Sequence, residues 1–94
     1  MVNQTIRDEA LDNNERITLN LLDVVEENSQ ITQRSLAAEL GVALGLTNAY
    51  LKKCAKKGFI KVKQIPSNRY GYYLTPDGFA EKSRLSAEYL KQSF

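Results

Sequence analysis

The sequence predicts an α+β domain that is mostly α, with a two-stranded ribbon set between N- and C-terminal helices. Three observations predict it. Arg34-Ser-Leu-Ala-Ala-Glu-Leu-Gly41-Val42 reads as a short helix ended by a glycine, with a tight turn after it. A second helix runs to Lys56-Lys57-Gly58, and from Ile60 to Ile65 apolar residues then alternate with basic or polar ones, as in a half-buried strand. Tyr70 to Leu74 returns as the partner strand, and Thr75-Pro76-Asp77-Gly78 opens a last helix. Two short helices around a glycine, followed by a basic ribbon, make a winged helix-turn-helix pattern, whose geometry suits a helix lying in the major groove of DNA.

Taken in order, Val2, Ile6 and Ala10 recur every four residues, one stripe of a leading helix. Asp12 and Glu15 have the spacing of a capping box. Ile17, Leu21, Leu22, Val24 and Val25 give the apolar face of a helix running to about Asn28. Ser29-Gln30-Ile31 reads as a short extended link, and Thr32 as the cap of the next helix. Leu36, Ala37 and Leu40 form that helix's buried side, Gly41 ends it, and Val42 plugs the turn. Ala43 starts the third helix, with Thr47, Tyr50, Leu51 and Cys54 as its buried row. Leu44, Gly45, Asn48, Ala49, Lys52 and Lys53 make up the opposite row. Pro66-Ser67-Asn68-Arg69 has turn chemistry. In the last helix Phe79, Leu85, Tyr89 and Leu90 are expected to share an apolar side that ends near Phe94.

Ninety-four residues suit one domain, spanning 1–94, and 43% hydrophobic with 26% charged residues exclude a disordered chain. No apolar run approaches the ~20 residues of a membrane span, and the first residues lack a secretion-signal layout. One cysteine, Cys54, and no histidine leave no disulfide and no metal cluster, and a reduced, cytoplasmic setting is the expectation. Charge is segregated along the chain. Residues 1–30 balance at −5, whereas residues 31–72 balance at +7 with Glu39 as their one acid. That asymmetry is expected where one face meets phosphates.

Within this pattern Asn48 is the base reader, since a carboxamide can bond an adenine edge at two points. Leu44 suits a thymine methyl, and Gly45 and Ala49 let the helix approach. Arg34, Lys52, Lys53 and Lys56 are placed for phosphates, Arg69 at the ribbon tip for a neighbouring minor groove or the backbone beside it, and Lys61 with Lys63 for its support. A solvated turn arginine is the competing reading of Arg69.

The segment from about residue 15 to residue 92 resembles the MarR family of winged-helix regulators, on the strength of RSLAAELGVALGLTNAYLKKCAKKGFI and YYLTPDGFAEK. Leu74, Thr75 and Gly78 match that family's element after the hairpin. Leu44 to Asn48, with the Tyr-Leu-Thr-Pro ending, is most similar to short members associated with exopolysaccharide gene control. The resemblance implies a homodimer on a pseudo-palindromic operator, usually a repressor, with the helix from Ala43 in the major groove. This chain has Ser67 where the family's wings carry aspartate, and Ala49 where many members place arginine. Its length leaves little material for the family's effector cleft, so a small-molecule effector is not implied, and no cofactor is either. Residues 1–11 and 76–94 are the expected dimerisation elements, through Val2, Ile6, Ala10, Leu85, Tyr89, Leu90 and Phe94.

Other readings compete. Tyr70, Tyr72 and Tyr73 resemble a base-stacking platform, but alternation divides them between two faces of the ribbon. Cys54 invites a redox-sensor reading, against which stands its place in a buried row. Without histidine, nucleophile elbow or phosphate loop, an enzyme is excluded. RNA fits the pattern less well than duplex DNA. The main alternative is a winged-helix protein-protein interaction module without sequence-specific DNA binding.

Overall fold

The computed structural model describes residues 11–93, in the order α1 (Asn13–Glu27), α2 (Gln33–Leu40), α3 (Leu44–Lys56), β1 (Ile60–Ile65), β2 (Arg69–Leu74) and α4 (Pro76–Ser93). It is α+β and mostly helical, with one antiparallel two-stranded ribbon, as the sequence predicts. The expected stripe Val2, Ile6 and Ala10, and Phe94 at the other end, lie outside the described residues.

Local signals set most boundaries. The Asp12 carboxylate accepts the Glu15 amide at 2.7 Å while Glu15 accepts from the Asp12 N–H, a reciprocal capping box. Thr32 caps α2 by accepting from the Ser35 N–H at 3.1 Å. Gly41 closes α2 with φ +68°, a left-handed conformation that a side chain would strain. Thr75 accepts the Gly78 N–H at 2.9 Å and donates to the Gly58 and Phe59 carbonyls. The same junction dictates Gly78, since a Cβ there would overlap the Phe59 carbonyl oxygen and lie 2.8 Å from Leu74 Cδ1. The Leu74-Thr75-x-x-Gly78 element is therefore a weld between the entry to the ribbon and the last helix.

The core gathers Leu21, Leu22 and Val25 of α1, Leu36 of α2, Leu51 and Cys54 of α3, and Ile60 and Tyr72 of the ribbon, with Ile31 between. Burying such side chains contributes roughly 1.5–3 kcal/mol each. Leu11, Ile17 and Leu85 are also buried. Across the base, α1 and α4 are tied by charge: Lys82 bridges Asp23 at 3.1 Å and also pairs with Glu26, while Arg84 reaches Glu81 at 2.9 Å and Glu15 at 3.6 Å. Several acids of the negative N-terminal third thus serve to hold the last helix.

Five expectations need correction. Ser29-Gln30-Ile31 is a turn, not an extended link: the Asn28 side chain accepts from the Gln30 N–H and its carbonyl from the Ile31 N–H. That turn then docks the ribbon, as the Tyr72 N–H donates to the Ser29 carbonyl at 2.8 Å. β1 is buried at Ile60 and half-buried at Ile65, with the residues between them exposed. Val62 shares the Ile60 face but is 42% exposed, while Tyr72 opposite it is buried. Arg69 belongs to β2, opposite Ile65, and the turn is Pro66-Ser67-Asn68, with Ser67 and Asn68 both at positive φ.

The remaining two corrections concern the chain ends. Phe79, Tyr89 and Leu90 are about half exposed while Leu85 is fully buried, so the four do not share a core-facing side. Phe79 and Leu85, six positions apart, lie about 120° apart around a helix of 3.6 residues per turn. Leu85 therefore belongs to the chain's own core and is not available as a dimer contact. Leu11, assigned to the dimerising segment 1–11, is only 1% exposed and is likewise core.

Candidate nucleic-acid interface

The turn between α2 and α3 sets the interface. Gly41 and Val42 bring their amides back to the Ala38 and Ala37 carbonyls, at 3.2 Å each, which folds α3 across α2. Thr47 faces inward, fully buried, and satisfies its hydroxyl on the Ala43 carbonyl at 3.1 Å. Leu51 and Cys54 continue that inner row. Tyr50 packs beside it, partly buried. With one row pinned inside, the other is turned out: Leu44, Gly45, Ala49, Lys52 and Lys56 are exposed and Asn48 is half-buried. Arg34, on the first turn of α2, is exposed as well.

Asn48 does not stand alone. Its Oδ1 accepts a 2.9 Å hydrogen bond from Gln33 Nε2, across fifteen positions of sequence. Both residues line two adjoining hollows between the helices and the ribbon. One, of about 380 Å³, continues past Thr32, Arg69 and Tyr70; the other, of about 300 Å³, continues past Lys52, Ala55 and Val62. Gln33 was missed in the sequence because no local signal marks it; only the turn geometry brings it to Asn48. Leu46 of α3, 45% exposed, was missed too.

The structure does not bring every expected residue to this row. Lys53 turns to α1, where its Nζ donates to Asn14 Oδ1 at 3.2 Å and sits 5.9 Å from the Tyr50 ring centre. One position is about 100° of helix, so Lys52 and Lys53 cannot share a narrow face. On the ribbon, Val62, Gln64, Tyr70 and Tyr72 occupy the face beside α3. By register Lys61 and Lys63 share the other face with Tyr73, over whose ring Lys63 Nζ sits at 5.7 Å. Arg69 is not held out at the tip: its Nη2 donates to the Gln30 carbonyl at 2.9 Å, latching the ribbon to the α1–α2 turn.

Cys54 is 2% exposed, and burial pushes its thiol up to about 11 despite Lys53 and Lys57 nearby. At neutral pH it is an inert core thiol, which removes the redox-sensor reading. Tyr72 is raised by burial in the same manner. No helix among the described residues is long and apolar enough to cross a membrane.

Comparison with known proteins agrees with this architecture. The chain is similar in structure to MepR, a transcription regulator of the Staphylococcus aureus multidrug efflux pump MepA (TM-score 0.79, 17% identity, covering 99% of this chain and 74% of that one). It is similar to a MarR-family transcriptional regulator from Rhodococcus sp. RHA1 (0.78, 15%, 98% and 68%). It is also similar to the transcriptional repressor CouR bound to a 23-mer DNA duplex (0.69, 22%, 79% and 54%). At these identities the likeness is one of fold. The chain spans 54–58% of the length of several other solved structures that it matches. No curated protein matches it by sequence. The family model for winged helix-turn-helix DNA-binding domains matches residues 11–61, from the residue before the α1 cap to the start of the ribbon. With more than half of its length under that model, the chain belongs to the winged helix-turn-helix DNA-binding family.

Proposed function

We propose that the protein is a sequence-specific regulator of transcription of the MarR type, binding duplex DNA as a homodimer on a pseudo-palindromic site and acting as a repressor. One observation carries the reading. The outward row of α3 sets Gly45, Asn48, Ala49, Lys52 and Lys56 beside Leu44, and Arg34, Lys52, Lys56 and Lys61 have no carboxylate partner among the described residues. In this reading Asn48 contacts base edges, with Leu44, Gly45 and Ala49 allowing close approach. Arg34, Lys52 and Lys56 meet phosphates, and the ribbon lies along the flank. The tie to exopolysaccharide genes rests only on the resemblance of Leu44 to Asn48 and of the Tyr-Leu-Thr-Pro ending.

A homodimer is supported by the exposed apolar Phe79 and Leu90 of α4, 54% exposed each. Because Leu11 is core, the informative deletion is residues 1–10. Sedimentation should show its dimer weakened and its operator affinity reduced together, and an unchanged dimer would remove residues 1–10 from the interface.

Selection from a random duplex library with the purified protein tests the main reading. Enrichment of an inverted repeat, with half-sites about one helical turn apart, is expected. A second reading, a protein-interaction module, draws on the exposed Leu44, Leu46, Val62 and Tyr70 along α3 and the ribbon. Salt-sensitive binding without an enriched motif would favour it.

A further inference from the structure

Gln33 is the first residue of α2 and Asn48 the fifth of α3, and a 2.9 Å hydrogen bond joins their side-chain amides. Each amide carries one NH2 and one carbonyl. With Gln33 Nε2 donating into Asn48 Oδ1, the outward groups are the Asn48 NH2 and the Gln33 carbonyl. Neither makes another bond to a described residue. If both amides turn over, the two ends exchange, and the pair still presents one donor and one acceptor. Both residues open on the hollows between α3 and the ribbon, so the pair faces the space where a groove would lie.

That combination discriminates among bases. In the major groove adenine offers N7 as acceptor and N6 as donor, which answers one donor and one acceptor together. Guanine offers two acceptors, N7 and O6, and would set O6 against the pair's carbonyl. Cytosine offers only a donor, and thymine an acceptor beside a methyl. A single asparagine reads adenine with both ends of its own amide, and here one end is engaged by Gln33. We propose that Gln33 and Asn48 read the duplex as one unit, recognising an adenine in each half-site, and that Gln33 is a specificity-determining residue in its own right. This rests on the duplex-binding reading above.

The test is library selection with the parent protein, Asn48→Ala and Gln33→Glu. The parent should prefer adenine at one half-site position by roughly 5- to 150-fold, the range of a two-point base contact. Asn48→Ala should lose that preference at that position and keep the others. Gln33→Glu draws the Asn48 NH2 inward and turns two acceptors out, so the preference there should move from adenine to cytosine, which a merely structural role would not produce. If Gln33→Glu keeps the parent's adenine preference, Asn48 reads alone and the inference falls while the regulator stands. If the parent enriches no motif, duplex reading itself falls and takes the pair with it.

Discussion

On the α1–α4 side Lys82 lies between Asp23 and Glu26, and Arg84 between Glu81 and Glu15. On the α2–α3–ribbon side Arg34, Lys52, Lys56 and Lys61 have no carboxylate within reach among the described residues. Both sides carry cations, but acids stand beside them only on the first, so their use differs. Paired charge on the first side fixes the angle between two helices. Unpaired charge on the second leaves the cations to whatever polyanion approaches, at the expense of mutual repulsion in the free protein. Stability and binding should therefore respond to different residues, and the comparison can be tested by substituting one side at a time.

The largest effect belongs to the base. Leu85 is fully buried, so Leu85→Ala should lose about 2–5 kcal/mol of stability in urea unfolding. The slope of affinity against salt should stay at the parent value, because no phosphate contact is touched. Since Leu85 was expected at a dimer interface, the same variant separates the two roles. A stability loss below 1 kcal/mol together with a weakened dimer would return Leu85 to the interface.

A sharper cut runs between two adjacent lysines. Lys52 lines the hollow beside the ribbon without a partner, whereas Lys53 is engaged by Asn14 and lies against Tyr50. Lys52→Ala should weaken all duplexes and lower the salt slope by about one. Lys53→Ala should leave that slope within error. Equal slopes for the two variants would show that the division of α3 into a DNA row and a body row is drawn wrongly.

That division marks where the sequence stops being legible. Features written in a few consecutive residues could be read: the Asp12–Glu15 box, Gly41, the Thr75-Pro76-Gly78 start, and the Thr47-Leu51-Cys54 row. Each is decided by backbone hydrogen bonds or helical spacing within one turn. Features decided across the fold could not. The Gln33–Asn48 bond depends on how α2 crosses α3. The Arg69 latch depends on a turn thirty-nine residues earlier in the chain. Val62 obeys the strand alternation and is still exposed, because alternation tells which face a residue takes and not whether anything covers that face. Leu11 carried one usable cue, its position directly before a helix N-cap, where an apolar residue often anchors the incoming chain. The row of cations was legible as composition, but which members lie idle depended on the acids packed around them.

The smallest expected effect is the pH response of the clasp. The hydrogen bond from Arg84 is the main cause that holds the Glu81 carboxyl below its ordinary 4.5. A carboxylate lowered in the folded state adds stability that is fully present above the unfolded value and is lost as pH falls through the folded one. Lys82, raised above 10.5 chiefly by its hydrogen bond to Glu26, is the mirror case: its contribution is present below 10.5 and is lost as pH rises through the folded value. Stability from these two groups should therefore be flat at neutral pH and decline at both extremes. Since pairs this exposed contribute only about 0.2–1 kcal/mol, the effect is best seen as a difference between proteins. Urea midpoints of Glu81→Gln should fall less steeply below pH 4.5 than those of the parent, and the gap should shrink in high salt as screening weakens the pair. Parallel acid profiles would mean that the Glu81–Arg84 pair within α4 adds nothing measurable, and the charge that counts on this side would then be Lys82 against Asp23 and Glu26.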